Sequence, residues 1–183
     1  MGSYINIGLI SITNKEDFIK KCVELVETLN EFNAVSIKYP KDKNYSVWVE
    51  EDMNDYTLER AMQYCYHYDM AEILCDFEFE HNYLENVLVR VKHIQKGGLS
   101  ILFEIPEENN IFKNIDVAEA AIVSFLKKNE KLGFEYAFCD NEANTPIELE
   151  QLNLDEEYAI FVSYKPNIDV VFASWKIDGL SNR

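Results

Sequence analysis

The residues of this chain whose types and spacing could do chemistry are carboxylates. In Met70-Ala-Glu-Ile-Leu-Cys-Asp-Phe-Glu-Phe-Glu80, the two-residue period of a β-strand puts Ile73, Cys75, Phe77 and Phe79 on one face. Glu72, Leu74, Asp76, Glu78 and Glu80 fall on the other. Further acidic groups stand at 50–55 and at Asp140-Asn141-Glu142, followed by Glu148, Glu150, Asp155, Glu156 and Glu157. Paired Asp76 and Glu78 are candidates for acid–base work, yet alternate residues on one strand face sit about 7 Å apart, the usual pattern of a solvated face. Like charges side by side repel, and that cost is the reason to look for a use. Three readings are open: a solvated face, a surface for a basic partner, or a catalytic or metal site. As a partner-binding surface it comprises Asp76, Glu78, Glu80, Asp140 and Glu142; no catalytic residue is assigned.

Other chemistries lack their motifs. Six glycines, clustered only at Gly97-Gly98, give neither a Walker A loop nor a dinucleotide fingerprint. No Gly-x-Ser-x-Gly elbow marks a serine hydrolase. Cys65 and His67 stand two apart, on different faces of a predicted helix, and cannot grip one metal. No EF-hand spacing gathers the acids, and His81 reads as a surface histidine beside carboxylates. Neither metal nor cofactor is expected. The four cysteines, Cys22, Cys65, Cys75 and Cys139, are scattered on predicted apolar faces and read as buried reduced thiols.

Charge narrows the partner. With 17 Lys and Arg against 33 acids, the formal charge is −16, so nucleic acid and anionic membranes are excluded as expected partners and a basic protein is favoured. The amino terminus resembles neither a signal peptide nor a myristoylation site, and no apolar run is long enough to span a bilayer, which places the protein in the cytoplasm as an expectation. At 48% hydrophobic residues over 183 positions, one domain, 1–183, is the default.

The elements that must position the carboxylates follow from periodicity. Strands are predicted at 4–12, 34–39, 45–50 and 70–80, with one helix after Thr13-Asn14-Lys15-Glu16 and a second that starts in the acidic run 50–55. The order β-α-β-β-α-β is ferredoxin-like. The stretch 83–96 fits a helix through Leu84, Val87, Leu88, Val91 and Ile94, ended by Gly97-Gly98, with a hairpin strand as the alternative. Then come a strand at 99–105, a helix at 116–131 with Val117, Ala121, Ile122, Phe125 and Leu126 inward, and strands at 134–139, 158–164 and 169–176. The fold class is α+β, a mostly antiparallel sheet with helices packed on it. Residues 4–50 and 99–176 follow one order and are candidate pseudo-repeats.

In size, order and charge, and in the stretches Phe134-Glu-Tyr-Ala-Phe-Cys-Asp-Asn-Glu-Ala and Ala173-Ser-Trp-Lys-Ile-Asp-Gly, the chain resembles the immunity proteins with which bacteria neutralise their own polymorphic toxins. The resemblance implies a non-enzymatic, stoichiometric inhibitor whose acidic surface plugs a basic toxin site, often that of a nuclease. Two alternatives stand beside it. A small metal-dependent or carboxylate-based hydrolase would gather Asp76, Glu78 or 140–142 with His81 or His93 in a pocket. A structural or regulatory subunit would carry a large apolar patch.

Overall fold

The computed structural model describes residues 3–12, 17, 20–21, 24–25, 28–42, 44–52, 67, 70–94, 98–141 and 158–172, with backbone alone at 93–94 and 171–172. These build one nine-stranded sheet of antiparallel neighbours. Its strands are β1 (Tyr4–Ile12), β2 (Asn30–Pro40), β3 (Trp48–Asp52), β4 (Met70–Phe79), β5 (Asn82–Ile94), β6 (Gly98–Pro106), β7 (Tyr136–Asn141), β8 (Ile160–Ser163) and β9 (Asp169–Phe172), and their spatial order is β3-β2-β4-β5-β6-β1-β7-β8-β9. The helix α1 (Ile115–Lys128) lies against it, and Asp17, Lys20, Lys21, Glu24 and Leu25 have helical backbone.

β4 behaves as its alternation demands. Ala71, Ile73, Cys75, Phe77 and Phe79 are buried, while the residues between them keep partial contact with water. Onto this first face α1 lays Ala118, Ala121, Ile122, Phe125 and Leu126. Phe125 meets Phe79 at 5.0 Å and Phe103 at 5.8 Å between ring centroids, the latter pair edge to face, the geometry aromatic quadrupoles favour. Truncating one such buried ring costs about 3–5 kcal/mol. Val117, expected inside, is 47% exposed, and Ala118 takes its place. The cap of α1 is Asn114, whose side-chain oxygen accepts from the Asp116 and Val117 amides.

Of the stretch 83–96, expected as a helix, residues 83–94 lie in β5, so the hairpin alternative forms, and 95–96 lie outside the described residues. A β-bulge explains the misleading period. Cys75 pairs with Val87 and Phe77 with Leu84, so β5 carries one extra residue there, and Asn86 adopts the left-handed φ of 57°. Leu84 and Val87 both reach the core, and their three-residue spacing imitates a helix.

The sheet order also departs from the ferredoxin-like expectation: β1 is held between β6 and β7, with β4, β5 and β6 separating it from β2. The consecutive hairpins β4-β5-β6 form without long loop closure, and β6 then offers its free edge to β1. Residues 4–50 and 99–176 share this one sheet, with β1 and β6 paired near its middle. Glu50, Glu51 and Asp52, expected to open a second helix, end β3 instead; apart from His67 the rest of that expected stretch, with Cys65, lies outside the described residues, as does most of the first expected helix, with Cys22. The strand expected at 169–176 is described to Phe172.

Burial on the opposite, second face is deep from β6 onward, through β1 to β8. Ile10, Leu102, Phe138 and Phe161 form a smaller apolar cluster there, with Tyr136 and Tyr158 against it. Gly8 pairs with both Leu102 and Phe138, and a Cβ at position 8 would stand 2.2 Å from the Phe138 ring. The ring lies where a side chain at position 8 would be. Gly8→Ala is expected to lose about 1–3 kcal/mol of stability by overpacking, and Gly8→Ala combined with Phe138→Leu to recover part of it. Urea unfolding checks this; an unchanged midpoint in the single variant contradicts it.

Candidate functional site

The second face of the sheet carries the carboxylates, and register decides which of them are already committed. One cross-strand row runs Glu50, Lys38, Glu72, Arg90, Leu102, Gly8, Phe138 and Phe161. Its first four members alternate in sign. Lys38 meets Glu50 at 3.3 Å, and Arg90 donates through Nε to Glu72 at 2.9 Å and through its terminal nitrogen to Glu104. Arg90 thus bridges two carboxylates from the strands on either side of its own, both mostly shielded from solvent. Partial burial pushes the Glu104 carboxyl up, opposed by Arg90 and reinforced by Glu72.

The acids nominated from sequence divide on these grounds. Glu80 sits in the β4–β5 turn with a positive φ of 46°, which swings it away from the carboxylate row. It accepts from Lys128 at 2.5 Å and Ser124 at 3.1 Å on α1 and ties the turn to the helix. Asp140 is only 9% exposed and its carboxylate accepts from the Asn141 amide, a strand-end role. Glu142 lies outside the described residues. Asp76 and Glu78 stay on the second face at the hairpin end, where Asp76 accepts from the bulged Asn86 amide at 2.8 Å and Glu78 stands 3.4 Å from His81.

Around that pair the fold gathers residues that sequence reasoning missed. Tyr83 pairs with Glu78 across the hairpin and is 48% exposed. Incomplete hydration and the carboxylates of Asp76, Glu85 and Glu31 push its phenol above the ordinary range. Beyond the bulge, Tyr83, Glu85, Asn86, Glu108, Asn109 and Asn110 line a cleft of about 260 Å³. Its wall is fixed by Asn109, which accepts from the Glu85 amide at 2.9 Å and donates to the carbonyls of Glu85 and Pro106. The signal in the sequence was Asn86, a residue type that tolerates the left-handed conformation a bulge needs.

A nucleophile is not built from the described thiols. Cys75 and Cys139 are buried and reduced, as expected, and burial pushes both well above the usual thiol range. Neither the Asp140 strand end nor the side chains of His67 and His81, both exposed, converge with Asp76 and Glu78 into a metal cluster among the described residues. What the hairpin end can do is present carboxylates and a tyrosine ring to a cationic group.

The Arg90 bridge makes a prediction of its own. A carboxyl whose folded pKa is raised costs stability when ionised, a cost relieved as pH falls through that pKa. Arg90→Met removes the opposing cation, so it is expected to cost on the order of 1–3 kcal/mol at neutral pH and progressively less as pH falls into the carboxylate range. Thermal unfolding from neutral to mildly acidic pH reads this, and a pH-independent loss contradicts it.

Comparison with known proteins completes the site. A chain of the 1.75 Å crystal structure of the toxic C-terminal tip of CdiA from Pseudomonas aeruginosa in complex with immune protein superposes with a TM-score of 0.44 at 14% identity, covering 78% of this chain and 88% of that one. The T6SS protein PA0821 of Pseudomonas aeruginosa gives a TM-score of 0.41 at 9% identity, over 76% of this chain and 41% of that one. No curated protein matches. The family model described as immunity protein 64 matches residues 1–183, and the chain therefore belongs to the immunity protein 64 family.

Proposed function

We propose that this immunity protein neutralises its cognate toxin without catalysis, as one α+β unit in the cytoplasm, by laying the hairpin end of the second sheet face over a basic surface of the toxin domain. The observation that carries the reading is the family match along the whole chain. The charge of −16 supports a basic partner. Among the described residues no helix is long and apolar enough to cross a membrane, which fits the same reading. Asp76 and Glu78, with Tyr83 between flanking Glu31 and Glu85, form the contact. Glu142 belongs to it as a second contact, while Glu80 and Asp140 act by holding the turn and the strand end in place.

Physical chemistry sets the form of the test. Carboxylates at the rim of an interface steer association more than they set its lifetime. Co-expression of the chain with its cognate toxin is expected to restore growth. The double reversal Asp76→Lys and Glu78→Lys is expected to slow association about tenfold at low salt, with the difference shrinking as salt rises. Interferometry at several salt concentrations measures it. Equal association rates for the variant and the parent would remove this surface from the interface, and failure of the parent to protect would remove the function itself.

A further inference from the structure

The hairpin that joins β2 to β3 carries an aromatic platform separate from the acidic hairpin end. The rings of Tyr45 and Trp48 stack at 6.2 Å between centroids with 27° between planes, and the Trp48 indole donates to the Tyr45 carbonyl at 3.0 Å. Both rings remain open, at 42% and 40% exposure, and neighbouring Val47 is 51% exposed. Tyr45 holds a φ of 54°, a left-handed conformation that bulky residues seldom adopt. The turn is fastened around it. Asp42 accepts from the backbone amide and the hydroxyl of Ser46, the Tyr45 amide donates to the Asp42 carbonyl at 3.2 Å, and the Lys41 amide donates to the Val47 carbonyl at 2.8 Å. Strained backbone is kept here although the rings it positions are not buried, so the folded core gains little from them.

Charge on the same face selects the occupant. Register puts Trp48, Glu50 and Asp52 on the second face together, and Lys38 is already held by Glu50. Asp42 adds a carboxylate at the turn, held below the usual range by its Ser46 hydrogen bonds and so ionised. Stacked rings present negative π-faces, and a guanidinium is planar enough to stack on them while forking to a carboxylate, which a lysine ammonium does less well. We propose that the Tyr45–Trp48 platform is an anchor for an arginine presented by the toxin domain, with Trp48 as the energetic hot spot of a contact that includes the turn carboxylate of Asp42. This rests on the immunity reading above and names a second contact point for it.

A purified toxin domain against which co-expression of the chain protects serves as the probe, titrated by calorimetry against the parent, Trp48→Ala, Trp48→Phe and Tyr45→Ala, with circular dichroism as the folding control. The expected result is about 30-fold weaker binding for Trp48→Ala and a smaller loss for Trp48→Phe, with unchanged spectra. Tyr45→Ala is measured in parallel, so a folding defect in one variant leaves the other decisive. Binding within twofold of the parent for the folded variants overturns the platform and leaves the immunity reading intact, whereas a parent that does not bind the toxin overturns both. Light scattering that finds a dimer in the parent and a monomer in Trp48→Ala assigns the platform to a second copy of this chain and also overturns the proposal.

Discussion

The structure depends on one constraint, the two-residue alternation of β4 inside a continuous sheet. Every second side chain from Ala71 to Phe79 is committed to the core, so the intervening Glu72, Asp76 and Glu78 have to share the other face. A one-residue slip would exchange the two sets and bury carboxylates. Phe77 and Phe79, packed against Phe103 and Phe125, hold the register against that slip. The carboxylates of the second face are placed by an apolar requirement on the first.

Having been forced together, the charges on the second face are partly neutralised across strands. Glu50, Lys38, Glu72 and Arg90 alternate in sign, and Arg90 spans Glu72 and Glu104. The exposed Lys38–Glu50 pair is worth little, about 0–1 kcal/mol, whereas the Arg90 bridge is shielded; the consequence they share is spatial. The charged middle of the face is satisfied within the chain, and the excess of acid is displaced to the hairpin end around Tyr83. Toward β7 the same face becomes apolar, with Phe138 lying flat over Gly8.

Much of this was legible in the sequence because it follows from periodicity. β4, its buried face, α1 and the strands on either side of it could be read from residue types alone. The helix expected at 83–96 could not be corrected from sequence, because one extra residue at Asn86 turns a two-residue period into an apparent three-residue one, and only pairing with β4 exposes the bulge. The site inherited that limit. With 83–96 read as a helix, Tyr83 and Glu85 had no reason to stand beside Asp76 and Glu78. Glu80 and Asp140 looked equivalent to their neighbours until Lys128 and burial claimed them. Strand order was likewise out of reach, since the partner of β1 is chosen by the β4-β5-β6 hairpins and not by β1 itself.

In the proposed complex a sheet face organised by β4, and not the helical layer, meets the toxin. Hydrogen exchange of the chain alone and bound to its toxin domain tests this most directly, because it reports protection amide by amide. Slowed exchange is expected at 30–36 and 74–86 and at the β2–β3 hairpin, with little change along 115–128. Protection confined to 115–128, with the hairpin ends exchanging as in the free chain, would contradict it.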